Sequence, residues 1–199
     1  MSGDEVDLGR RKMMTGAAVA TGGVGAACVA APFVSYWQPS AAAQAAGAPV
    51  EVDLSDLQPG DQKIVNWRKK PVWIVRRTEE ALESLKGRDG GLKDASSAES
   101  IQPAYTTNET RSLKPEYLVM VGICTHLGCS PTYAPDKELE SGWVGGFFCP
   151  CHGGKYDLAG RVLDGVPPPS NMEIPPHRYL SDTLLLIGED TADAAEGVA

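Results

Sequence analysis

Tyr117-Leu-Val-Met-Val-Gly-Ile runs without a break into Cys124-Thr-His126-Leu-Gly-Cys129, and Trp143-Val-Gly-Gly-Phe-Phe148 runs into Cys149-Pro-Cys151-His152-Gly-Gly-Lys-Tyr156. Each short apolar run reads as a buried strand. Each ends in a loop that carries two cysteines and one histidine. Four of the five cysteines and two of the three histidines of the chain are thereby gathered in two loops, each starting at the end of a rigid element.

Strand signals continue on either side. Val50-Glu-Val-Asp-Leu alternates, and Lys63-Ile-Val-Asn-Trp-Arg, Lys69-Lys-Pro and Val72-Trp-Ile-Val-Arg-Arg form a hairpin pattern. Glu79 to Lys86 reads as one short helix, residues 87–113 as a polar insertion loop, and Leu184-Leu-Leu-Ile-Gly as a closing strand. Nine or ten short strands with little helix predict an all-β domain over residues 50–188, an antiparallel sandwich or barrel. Trp67 and Trp73 fall in strands and are expected in the core. His177, after Pro175-Pro176, is expected to be a surface or structural residue, and Asp157 a turn residue.

The N-terminal part has a different texture. Residues 1–12 are polar and end in Arg10-Arg11-Lys12, and from Met13 to Trp37 there is no charge. At about 1.5 Å per residue, this run is long enough to cross a ~30 Å hydrocarbon core as a single helix. Tyr36 and Trp37 stand where an aromatic interface anchor belongs. Gly16, Gly22, Gly23 and Gly25 leave little side chain on the helix, which suits close approach by other membrane helices; Cys28 is read as one more small apolar residue. The basic residues precede the span, so the N-terminus is expected in the cytoplasm with everything after Trp37 outside. Gly9-Arg-Arg-Lys-Met-Met resembles a twin-arginine export signal, with Gly9 where Ser or Thr is usual. Residues 38–49 lack charge, large apolar side chains and β-branching, and are expected to be a flexible linker. Residues 189–199 are expected to be a disordered acidic tail. With 18 Lys and Arg against 26 Asp and Glu, the chain carries a net charge of −8. It lacks the basic footprint that nucleic-acid binding requires.

Three chemistries compete for the two loops. A structural zinc site uses four ligands, commonly in C-x₂₋₄-C pairs; the spacings here are C-x-H-x₂-C and C-x-C-H, and two candidates would be left over. A nucleophilic cysteine explains one thiol of the four. A [2Fe–2S] cluster with two cysteines on one iron and two histidines on the other takes one Cys and one His from each loop. The remaining two cysteines can then pair as a disulfide, which a domain outside the cytoplasm permits. Two thiolates leave the oxidised cluster neutral, whereas four leave it doubly negative, so an electron is added more easily. Such centres lie at roughly −150 to +300 mV, against about −400 mV for plant-type all-cysteine clusters. The histidine ligands also carry ring N–H groups whose acidity rises on oxidised iron, so electron and proton can arrive together.

The motifs Cys124-Thr-His126-Leu-Gly-Cys129 and Cys149-Pro-Cys151-His152-Gly-x-x-Tyr156 resemble those of the Rieske iron–sulfur subunit of the cytochrome bc1 complex, ubiquinol–cytochrome c reductase. The resemblance takes in the span, the Ala-rich linker, the β domain and the segment Val166-Pro-Pro-Pro. It implies that Cys124 and Cys149 bind one iron, that His126 and His152 bind the other, and that Cys129 and Cys151 form the disulfide. It implies that Leu127 and the loop around Pro167, Pro168 and Pro169 shield the cluster, and that Tyr156 donates to a ligand sulfur. It further implies that His152, with His126, hydrogen-bonds ubiquinol or another quinol and accepts its proton. The anchor would hold the protein to cytochrome b in a bacterial inner membrane. The linker would let a periplasmic head swing to cytochrome c1, in a dimeric respiratory or photosynthetic complex that translocates protons. Gly154 departs from the family pattern, which usually has a Ser that donates to a cluster sulfide, and this implies a lower potential. A soluble Rieske component, such as an oxygenase, its ferredoxin or an arsenite oxidase, is the competing class. The pair Cys129 and Cys151 argues against the oxygenases, and the retained span and linker argue against the others.

Overall fold

The computed structural model describes residues 7–88, 90–136, 143 and 145–190. The chain divides into two units, residues 1–45 and 46–199.

In the first unit helix α1 runs Leu8–Tyr36, starting ahead of the uncharged run. Asp7 sets that start: its carboxylate accepts from the amides of Gly9 (2.9 Å) and Arg10 (3.1 Å), two of the donors a helix leaves unpaired at its N-terminus. The hydroxyls of Thr15 and Thr21 donate back to the carbonyls of Arg11 and Ala17, so neither needs water. No described residue of α1 is buried within the protein, and the helix is long and apolar enough to cross a membrane. Inside the expected irregular linker, Ala41–Gly47 form a second helix, α2. Alanine is the strongest helix former, and Ser40 Oγ accepts from the Ala43 amide to cap it. Residues 1–6, at the start of the expected cytoplasmic segment, and 191–199, most of the expected tail, lie outside the described residues.

Among its described residues the second unit holds three open, three-stranded antiparallel sheets. Strands β1 (Val50–Asp53), β8 (His177–Tyr179) and β9 (Leu184–Ile187) pair in the order β1-β9-β8. Strands β2 (Gln62–Trp67), β3 (Lys70–Arg76) and β4 (Tyr117–Val121) follow chain order, as do β5 (Thr132–Ala134), β6 (Gly146–Cys149) and β7 (Gly154–Tyr156). The barrel alternative does not occur among the described residues. The β2–β3 hairpin turns at Arg68 and Lys69, both in the left-handed region at φ 50° and 62°. That is the backbone of the two-residue turn that matches strand twist.

The near-continuous apolar runs of β3 and β4 have a direct cause. Successive side chains point to opposite faces, and both faces of this sheet are covered. Val72, Ile74, Tyr117 and Val119 join Val52, Leu54, Leu185 and Ile187 in a basal core. Trp73, Val75, Leu118 and Met120 join Phe147, Tyr156, Met172 and Ile174 in an upper core beneath the two motif loops. A third helix, α3 (Glu79–Leu85), is capped by Thr78 and packs Ala81 and Leu85 on Leu158 and Ala159. Of the strand expected from Trp143 to Phe148, β6 takes in Gly146 to Phe148, and Gly145 and Gly146 have φ of 106° and 141°. A Cβ there would fall 1.9 Å from the Pro135 carbonyl oxygen and 2.0 Å from that of Tyr156. Only glycine lets the backbone enter β6 so closely.

Candidate metal centre

The first motif loop leaves the end of β4 and closes on itself. The Cys124 amide donates to the Cys129 carbonyl (2.8 Å) and the Gly128 amide to the Cys124 carbonyl (3.1 Å), with Gly128 at φ 80°. Leu127 is carried at the tip, 71% exposed. The second loop is the turn between β6 and β7. Cys149 stands opposite Gly154 in register, and the Gly153 amide donates to the Cys149 carbonyl (3.0 Å).

The loops bring the motif residues together in two layers. Cys124 and Cys149 are buried, each 2% exposed. His126 is half-buried and His152 exposed, with ring centroids 4.9 Å apart and planes at 88°. Cys129 and Cys151 are joined by a disulfide across a Cα separation of 6.8 Å, tying one loop to the other. The sulfurs of Cys129, Cys149 and Cys151 lie within 4.8 Å of one another. That proximity marks where the bridge passes Cys149 and not a three-thiolate site, since sulfurs in a disulfide have no thiolate to offer. Burial pushes the Cys149 thiol above its ordinary range and the neighbouring Cys124 sulfur adds to this; backbone amides of Cys151 and His152 act the other way.

Tyr156 is fully buried in β7. Its hydroxyl lies 3.2 Å from Cys124 Sγ, 3.1 Å from the Thr125 amide nitrogen and 3.1 Å from Thr125 Oγ1, and Thr125 Oγ1 donates to the Ser170 carbonyl (2.7 Å). The Thr125 amide must be the donor in its contact, which leaves the phenol proton for the Cys124 sulfur or Thr125 Oγ1. Burial, foremost, and then the Cys124 contact hold Tyr156 well above the usual phenol range, so it remains a donor. Trp143 Nε1 donates to the Tyr156 carbonyl (3.0 Å), pinning the strand from behind.

Gly154 is buried beside Cys149. A Cβ at this position would stand 2.8 Å from Pro168 Cγ and 3.3 Å from Cys149 Cβ. Here the Pro-rich segment meets the second loop: Pro168 is buried, while Pro167 and Pro169 are exposed.

Several supporting residues carry no motif. Arg111, from the polar insertion, is fully buried. Its guanidinium donates to the carbonyls of Ala159, Gly160 and Met172 and to Gln102 Oε1. Arg77 does the same for the carbonyls of Pro115, Thr110 and Leu158 and for Ser112 Oγ. Burial lowers both guanidinium groups to about 10, still charged at neutral pH. Asp157 is a turn residue, as expected, accepting from the amides of Ala159 and Arg161, and it also pairs with the Arg161 side chain at 2.7 Å. His177 is structural: buried, with Nδ1 2.8 Å from the Pro175 carbonyl oxygen. Arg111, a basic residue in a polar stretch, and Arg77, the second of two arginines closing an apolar run, give no sequence sign of burial. Cys28 lies in α1, exposed.

Two thiols on the protein side and two imidazoles on the solvent side suit a two-iron group with unlike ends. Each loop contributes one of each, and the bridge removes the two surplus sulfurs from competition.

Residues 49–176 match the family described as Rieske [2Fe-2S] domain, and residues 1–40 match the one described as ubiquitinol-cytochrome C reductase Fe-S subunit TAT signal. The ubiquinol-cytochrome c reductase iron-sulfur subunit of Allochromatium vinosum is 53% identical over 197 residues, 98% of this chain and 95% of the relative. That of Blastochloris viridis is 38% identical over 191 residues, 96% and 99% of the two chains. A solved structure described as hyperthermophilic respiratory Complex III contains a chain 31% identical, with a TM-score of 0.46, covering 87% of this chain and 98% of its own. The matched domain, both loops and near full-length identity to these relatives show that this chain belongs to the ubiquinol–cytochrome c reductase iron–sulfur subunits and carries a Rieske [2Fe–2S] domain.

Proposed function

We propose that this chain takes an electron and a proton from ubiquinol and passes the electron to cytochrome c1 within a cytochrome bc1 complex. The observation that carries this reading is the layered donor set, with Cys124 and Cys149 buried and His126 and His152 side by side toward solvent. Cys124 and Cys149 would hold one iron and His126 and His152 the other. When bound, the [2Fe–2S] group supplies a one-electron acceptor of raised potential.

The chain's own residues do the rest. The outer ring nitrogen of His152, the more exposed imidazole, hydrogen-bonds the quinol hydroxyl and takes its proton, with His126 beside it. The Tyr156 hydroxyl donates toward Cys124 Sγ and favours the state with more negative charge on sulfur. Leu127 and the Pro167–Pro168 loop exclude water, and the Cys129–Cys151 bridge keeps the loops in register. Helix α1 anchors the chain in a bacterial inner membrane beside cytochrome b, N-terminus in the cytoplasm and head in the periplasm. Residues 38–49 tether the head as it moves between partners in a dimeric, proton-translocating complex.

The test is composition. The full chain, extracted from membranes, should bring b- and c-type haem with it, contain two irons and show a mixed N/S-ligated EPR signal on reduction. Stoichiometric zinc without iron overturns the reading.

A further inference from the structure

The polar segment 91–101 is fastened along the whole Pro-rich stretch. The Asp164 amide donates to the Gly91 carbonyl (2.8 Å), Leu92 bridges Leu163, and the Lys93 amide donates to the Val162 carbonyl (3.0 Å). On the far side of the prolines, Asn171 Nδ2 donates to the Asp94 carbonyl (2.8 Å) and to Ser97 Oγ (2.9 Å). The Asn171 amide donates to Ser100 Oγ (3.0 Å) and the Ile174 amide to the Ile101 carbonyl (3.0 Å). Asp94 stiffens the strap itself by accepting from the amides of Ala98 and Glu99 and from Ser100 Oγ.

Between these two ladders the chain has three consecutive prolines, which have no amide to donate. The loop 166–169 therefore cannot be held through its own N–H groups past Val166, and only its carbonyls remain. One side chain meets two of them: Lys93 Nζ donates to the Val166 carbonyl (2.7 Å) and to the Pro168 carbonyl (2.8 Å). Pro168 is the residue whose ring lies against Gly154, beside Cys149.

We propose that Lys93 is a positioning residue that clamps the Pro-rich loop through the carbonyls of Val166 and Pro168 and so controls access to the two-loop centre. The link to the centre rests on the function proposed above; the clamp itself does not. An ammonium group suits the task. It offers three donors on a flexible stem, enough for two carbonyls that no amide among the described residues serves. The loop is short and exposed on both sides of Pro168, and its opening would lift Val166 from the edge of the upper core.

The experiment compares wild type, Lys93→Met and Lys93→Arg, each as the full chain in detergent. Lys93→Met keeps the stem and loses the donors; Lys93→Arg restores them. The first measurement is amide hydrogen exchange on metal-free chain, followed in the peptide spanning residues 163–172. Loss of two charge-assisted bonds should speed exchange there by about tenfold or more. The β4 amides should be unchanged, and Lys93→Arg should return most of the protection. The second measurement is release of iron from loaded chain to an added chelator, expected to be about tenfold faster in Lys93→Met and near wild type in Lys93→Arg. Unchanged exchange at 163–172 in Lys93→Met overturns the clamp. Faster exchange with unchanged iron release overturns its control of the centre. A chain that takes up no iron in any form would instead contradict the proposed function, and the metal-free exchange result would still decide the clamp.

Discussion

The basal core and the two-loop end of the head are built on different principles. At the base, Val52, Leu54, Val72, Ile74, Val119, Leu185 and Ile187 meet across two sheets, and burial of apolar area is the main cohesive force. At the other end the segments are short and rich in Gly and Pro, and polar groups organise them. Arg77 and Arg111 gather main-chain carbonyls, Asp157 holds Arg161, Asn171 bridges to the strap, and a disulfide joins the loops. The base tolerates approximate volume; the loop end depends on particular atoms meeting, because a buried polar group left unpaired is costly. Stability and chemistry are thereby separated within one head.

The strongest test of that separation is His152→Ala. Iron content and the EPR signal of the reduced chain should be abolished, while the sheet signal in circular dichroism stays as in wild type. A variant that keeps two irons would break the ligand assignment. Next in size is Asp157→Ala, which removes the carboxylate paired with the buried Arg161 side chain. Breaking such a pair costs about 3–5 kcal/mol, and denaturant unfolding of the full chain should show a loss of that order. At the base, Ile74→Val removes one methylene at a fully buried site and should cost only about 0.5–1.5 kcal/mol. If it exceeded Asp157→Ala, the contrast drawn between the two ends would be reversed.

Gly154→Ser probes the seam between the second loop and the prolines. Its hydroxyl would add a donor close to Cys149 but its Cβ displaces the Pro168 ring. We expect the midpoint potential to rise by a few tens of millivolts, where about 59 mV is a tenfold change for one electron. Voltammetry at fixed pH showing no rise would mean that residue 154 does not reach the cluster.

The smallest effect concerns pH. Burial holds His177 below the ordinary imidazole range, and the Pro175 carbonyl offsets this only in part. On acidification the unfolded chain takes up this proton first. The stability His177 contributes is complete above its ordinary value of about 6.5 and is lost as pH falls toward the folded value. Unfolding midpoints between about pH 7.5 and 5 should therefore decline less steeply in His177→Phe than in wild type. Parallel slopes would remove His177 as a source of acid sensitivity.

Much of this was readable in advance, for reasons that differ by residue. Alternation at Val50–Asp53 and the apolar runs of β3 and β4 follow from burial on one or both faces, and the β2–β3 hairpin follows from the spacing of its two runs, its turn falling at Arg68 and Lys69 with Lys70 and Pro71 already in β3. The cysteine and histidine pattern carries the centre because few chemistries need those types so close together. Segment 91–101 was not readable. Its structure comes from side chains paired with main-chain groups some seventy residues away, as Lys93 with Val166 and Asn171 with Asp94, and such pairing leaves no periodicity. Strands β5, β7 and β8 have three residues each, too few to show a pattern. Helix α2 was missed because a run of alanines reads equally as spacer and as helix.

One pairing also governs how the head comes into being. Strand β1 opens the domain and its partner is β9, with Val50 opposite Ile187. A chain emerging from the ribosome therefore carries its first strand with an unfilled edge until nearly the last residues of the head are made. Closing so large a loop adds entropy only logarithmically with length, but it places the contact among the slow, non-local ones. The central hairpin β2–β3 can form early. The basal core, which needs Val52 and Leu185 together, cannot be completed until β9 has been made, so its closure follows the early hairpin.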